Sequence, residues 1–70
     1  MDWISVQSTN ISRVRWDEQT MALEVEFVGG KIYQYFDVPQ PVYEGLIRAR
    51  ESHGRYFNEN IKGHYRYAKQ

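Results

Sequence analysis

The densest group of side chains able to hold a ligand lies late in this 70-residue chain: Arg55, Tyr56, Asn58, Lys62, Tyr65 and Arg66. Guanidinium and ammonium groups pair with phosphates, and tyrosine rings stack on unpaired bases. The competing assignment is structural: Tyr56 and Tyr65 pack against a sheet, and the charges only solvate the surface. A second pair, Tyr33 and Tyr35, flanks Gln34. With Arg55 and Asn58 these tyrosines are also the material for a small pocket accepting a nucleotide-like molecule.

Chemistry of other kinds finds little support. There is no cysteine, which excludes disulfides and thiolate metal sites. His53 and His64 lack any paired-ligand spacing and read as exposed polar residues. Glu24 and Glu26 fall on one strand face about 7 Å apart; alternating acids on a small sheet read as solvated. No serine sits in a GxSxG elbow, and Gly29-Gly30 has no phosphate-loop context. The chain is expected to be no enzyme, with no catalytic residues, no metal and no cofactor.

Net charge is zero, which disfavours strong non-specific binding to nucleic acid. The sum conceals asymmetry. Residues 1–37 carry three basic and six acidic side chains, a net of −3, and residues 38–70 carry six basic and three acidic, a net of +3. The two halves are expected to pack together and partly neutralise each other. No apolar run is long enough for a membrane span, and no leader pattern opens the chain, so the expected location is cytoplasmic.

The elements that position these residues are an α+β set in a single domain spanning 1–70. Val14 and Trp16 alternate with Arg13 and Arg15, and Leu23, Val25 and Phe27 alternate with Glu24 and Glu26, the period of strands. A third strand runs from Lys31 to about Asp37. This predicts a three-stranded antiparallel meander. Two helices then pack on one face. The first carries Val42, Leu46, Ile47 and Tyr43 and stops near Glu51. The second is capped by Ser52, has Phe57 and Ile61 on one side, and ends at Gly63. The tail from His64 to Gln70 reads as a short strand or as disordered chain. Two tryptophans, three phenylalanines and six tyrosines are the expected compensation for small size.

The turn at Gly29-Gly30 decides which way Tyr33 and Tyr35 face. A two-residue turn pairs Phe27 with Ile32 and puts both tyrosines outside with the glutamates. A three-residue turn with a bulge at Gly30 pairs Phe27 with Lys31 and turns them to the side of Leu23, Val25 and Phe27. The bulge is preferred, because Gln34 then lies among the glutamates. In that case stacking on a ligand falls to Tyr56 or Tyr65.

The order of motifs resembles the KTSC domain, a short module found at the C-terminus of some lysyl-tRNA synthetases and as free-standing bacterial or phage proteins. The resemblance covers about residues 6–67. It rests on Val6-Gln7-Ser8-Thr9-Asn10-Ile11, on Leu23-x-Val25-x-Phe27 with its glycine turn, on Tyr33-Gln34-Tyr35-Phe36-Asp37-Val38-Pro39, on Val42-Tyr43-x-x-Leu46, and on Ser52-x-Gly54-Arg55-Tyr56-Phe57-Asn58-x-x-Ile61. Thr9 stands where a second serine is expected. The resemblance implies a non-catalytic domain and carries the Tyr-x-Tyr signature onto Tyr33 and Tyr35. RNA binding is the leading expectation. A protein-interaction module, by self-association or with a partner, and a nucleotide-like ligand pocket are the alternatives.

Overall fold

A computed structural model describes residues 3–49 and 52–70. Five strands form one antiparallel sheet in chain order: β1 (Ile4–Ser5), β2 (Ile11–Asp17), β3 (Ala22–Phe27), β4 (Ile32–Tyr35) and β5 (Tyr67–Lys69). Helices α1 (Gln40–Arg48) and α2 (His53–Asn60) lie between β4 and β5. The expected three-strand meander is the centre of this sheet. Each edge gains a short strand, and the C-terminal tail adopts the strand form. The expected end of α1 near Glu51 lies outside the described residues.

The three-residue turn is present. The Phe27 amide donates to the Lys31 carbonyl and the Gly30 amide to the Phe27 carbonyl, and both glycines hold positive φ. Leu23 therefore faces Tyr35 and Val25 faces Tyr33, so both tyrosines share the inner face, while Glu24 faces Gln34 outside. A second irregularity lies in β2, where the register slips between Ile11 and Arg13. Strict alternation would put Ile11 outside with Arg13 and Arg15. The slip at Ser12 turns it inward, where it is fully buried beside Val14.

The core joins Ile11, Val14, Trp16, Leu23, Val25 and Tyr35 of the sheet to Val38, Leu46, Phe57 and Ile61. Asp37, at φ 60°, turns the chain off β4 and sends Val38 into this core. The Trp16 indole N–H donates to the Val38 carbonyl at 2.8 Å, and the ring stacks on Tyr43 of α1. The sheet's other face carries crossed ion pairs, Arg13 with Glu26 and Arg15 with Glu24, and both guanidinium groups stand over the Trp3 ring at 4.4 and 4.5 Å.

Two expectations are corrected and one is narrowed. Glu24 and Glu26 are partners of arginines rather than simply solvated. The two halves do pack together, through β4 and β5, but their neutralisation is slight: among the described residues Arg13, Arg15 and Arg55 pair within their own halves, and Arg66 alone reaches across, to Asp37. His53 is buried, at 6% exposure, with Nδ1 2.7 Å from the Leu46 carbonyl. A carbonyl only accepts, so the ring N–H donates, as a second partner beside the Ala49 amide, to a carbonyl in the last turn of α1. His64 is exposed as expected.

Candidate functional site

Helix α2 starts at Ser52, whose hydroxyl accepts from the Arg55 amide at 3.1 Å. Its first turn lies against the Ser8-Thr9-Asn10 loop. There the Ser8 hydroxyl donates to Asn10 Oδ1 at 2.8 Å and accepts from the Asn10 and Ile11 amides. The loop passes so close that a Cβ on Gly54 would lie 2.5 Å from Asn10 Oδ1 and 3.2 Å from Ser8 Oγ. This explains the spacing of two separated motifs: Ser-x-Asn and the helix glycine form one contact. Gly54→Ala gains helix propensity of about 1 kcal/mol but overpacks an anchored loop, a cost of about 1–3 kcal/mol. The expected net loss in denaturant unfolding is about 1 kcal/mol, and it should vanish in an Asn10→Ala background, which removes the obstructing oxygen.

On the far side of Asn10 lies a groove of about 360 Å³, open to solvent between α2 and the inner face of β3, β4 and β5. Phe27, Tyr33, Tyr35, Phe57 and Tyr67 form its aromatic surface, and Asn10, Lys31, Asn58 and Lys62 supply the polar groups. Phe57 meets Phe27 and Tyr35 edge-on, with centroids 5.5 and 5.4 Å apart. Tyr67 leans over Tyr33 and Tyr35 at 5.6 and 5.7 Å and is 60% exposed. Neither Lys31 nor Lys62 makes an ion pair among the described residues, and no carboxylate lines the groove.

The Tyr35 hydroxyl is pushed up from 10.0 to about 12, first by burial and then by the neighbouring Tyr67 and Tyr33. Burial likewise raises Tyr43. The folded chain therefore holds the Tyr35 proton more tightly than the unfolded chain does. That contribution to stability is complete below about pH 10 and is lost as pH rises from about 10 toward 12. Denaturant melts across this window should show stability falling, with a shallower decline in Tyr35→Phe.

Of the residues singled out from sequence, the groove gathers Tyr33, Tyr35, Asn58 and Lys62. Arg55 lines an adjoining hollow with Ser8, Asn10, Gly54 and Asn58, and is held by Glu59 at 3.2 Å. Tyr56 points to α1, where its ring occupies the space a Cβ on Gly45 would need. Tyr65 is half-buried against the core. Arg66 pairs with Asp37 at 3.3 Å and lies 5.7 Å from the Phe36 ring. The basic segment is thus split between faces. Sequence reasoning missed Asn10, Phe27, Lys31, Phe57 and Tyr67 as groove residues. Lys31 was within reach, since it shares the strand parity of Tyr33 and Tyr35. Tyr67 was not, because its place depends on the long-range pairing of β5 with β4.

The model of the KTSC domain family matches residues 7–65. An uncharacterized protein of Stutzerimonas stutzeri is 40% identical over 68 residues, covering 96% of this chain and 94% of that protein. Lysine–tRNA ligases of Trichormus variabilis and of a Nostoc species are 42% and 44% identical over 57 residues, which is 81% of this chain but 10% of each ligase. The crystal structure of a KTSC domain protein from Yersinia pestis superposes with a TM-score of 0.89 at 30% identity, covering 99% of this chain and 96% of that one. With the family's motifs running through residues 7–65 and its fold shared over nearly the whole length, the chain belongs to the KTSC domain family.

Proposed function

We propose that this domain is a non-enzymatic binding module for single-stranded RNA, and that the tyrosine groove is its contact surface. The observation that carries the reading is the joining of five aromatic rings with two lysines that make no ion pair among the described residues in one open groove. Tyr67, and in part Tyr33 and Phe27, supply accessible rings for stacking, worth about 1–3 kcal/mol per base, over the buried Phe57 and Tyr35, and the ammonium groups supply phosphate contacts. Arg55 lines the adjoining hollow with Asn58, which also borders the groove beside Lys62, and extends the basic track. The related segment within lysine–tRNA ligases supports an RNA partner. Zero net charge makes the module a modest binder whose affinity depends on local contacts rather than on bulk attraction.

Titration of labelled single-stranded RNA and tRNA at low and moderate salt tests this. Binding is expected at about 50 mM salt and should weaken as salt rises. Lys62→Gln should lower the slope of log affinity against log salt by about 0.7, the share of one phosphate on a single strand. Absence of binding at low salt would overturn the reading.

A further inference from the structure

We infer that the groove is a socket for one unpaired nucleobase, and that it favours bases presenting carbonyl oxygens, uracil and guanine, over adenine. This deepens the RNA-binding reading and rests on it for the ligand class. The first ground is size. At about 360 Å³ the groove lies at the lower end of ligand-pocket volumes, suited to a single base rather than a run of stacked ones. The second is shape. Phe57 stands edge-on to Phe27 and Tyr35 and makes a firm apolar floor. Tyr67 leans over Tyr33 and Tyr35 from the sheet edge and offers a largely exposed ring for stacking.

The third ground is the sign of the polar lining. Asn10 borders both the groove and the hollow beside Gly54. Its Oδ1 is engaged by the Ser8 hydroxyl and turned to Gly54, which leaves Nδ2, a donor only, for the groove. The lysine ammonium groups are also donors without acceptor capacity. The Tyr35 hydroxyl stays protonated through the physiological range, so it too can donate. Asn58, exposed and with no side-chain hydrogen bond among the described residues, can serve either way. A wall dominated by donors pairs best with the O2 and O4 of uracil or the O6 and N7 of guanine. The amino edge of adenine would meet donor with donor. Lys31 and Lys62 take the phosphates flanking the seated base.

The experiment compares short RNA oligonucleotides of equal length, all-uracil, all-adenine and abasic, on the full chain and on Tyr67→Ala and Asn58→Ala. Free uridine and adenosine monophosphates are followed by shifts of the tyrosine ring resonances. Both substitutions are at exposed positions, and circular dichroism confirms that the variants fold. The uracil strand is expected to bind about tenfold tighter than the abasic one, a margin that Tyr67→Ala removes while leaving abasic affinity unchanged. The preference for uracil over adenine should persist in Asn58→Ala, because that amide can pair with either base. If the abasic strand binds as well as the uracil strand, the socket is wrong while RNA binding stands. If no strand binds but uridine monophosphate shifts Tyr33, Tyr35 and Tyr67, the socket stands and the RNA reading falls. Equal affinity for uracil and adenine overturns the carbonyl preference, and no response from any probe overturns both readings.

Discussion

Phe57→Ala should leave most of the protein unfolded at room temperature. Phe57 is 2% exposed and packs edge-on against both Phe27 and Tyr35, so one ring ties α2 to two strands. Truncating a buried phenylalanine costs about 3–5 kcal/mol through lost transfer energy and the cavity left behind. A core of this size supplies roughly the same amount, about 3–5 kcal/mol, and no disulfide reinforces it. The substitution therefore removes nearly the whole margin. Phe57→Leu keeps much of the volume and should cost less than half as much. Far- and near-ultraviolet circular dichroism with denaturant titration separates the cases. A cooperative melt for the alanine variant close to that of the parent would show that α2 contributes little to the core. The same ring floors the groove, so ligand affinity should fall with folding in Phe57→Ala and survive, weakened, in Phe57→Leu.

Trp16→Ala should be comparably severe, at about 3–5 kcal/mol, for a different combination of reasons. The indole is buried, stacks on Tyr43 at 5.4 Å with the planes 16° apart, and donates to the Val38 carbonyl. Val38 has no exposed surface, and its amide is already committed to the Met21 carbonyl. Losing the indole N–H thus strands a carbonyl where the chain passes from sheet to helix. Trp16→Phe isolates this effect. It preserves an aromatic partner for Tyr43 but removes the donor, an expected loss of about 1–3 kcal/mol. Equilibrium unfolding of the two variants gives the packing and hydrogen-bond contributions by difference. Equal stability of Trp16→Phe and the parent would mean that the Val38 carbonyl finds another partner.

These two residues also show what could be read from the chain. Trp16 alternates with Arg15, and Phe57 lies four residues before Ile61, so both were assignable to the core from local period alone. The same holds for Leu23 and Val25. The orientation of Tyr33 and Tyr35 needed one further step, the glycine-containing turn, and the polarity of Gln34 pointed to the bulged form that the backbone adopts. His53 was not legible. Histidine patterns with no particular face, and its burial depends on the last turn of α1 bringing the Leu46 carbonyl to its ring. Ile11 was legible as apolar but not as inward, since the slip at Ser12 reverses its parity.

The candidate site divides in the same way. Residue type and spacing determined that this is a cysteine-free α+β domain of the KTSC kind, with Tyr33 and Tyr35 on one strand, Asn58 on the second helix and Lys62 just beyond its end. These are local properties, set by periods of two and 3.6 residues and by the turn chemistry of glycine. Tertiary structure alone decided that those two pairs share a groove, that Asn10 closes it from the first loop, and that Tyr67 roofs it from the last strand. It also decided that Tyr56 and Arg66 turn to other faces. The physical reason is separation along the chain. Asn10, Tyr33, Asn58 and Tyr67 meet only because the sheet pairs β4 with β5 and Gly54 lets a loop touch a helix, and neither contact leaves a local pattern to read.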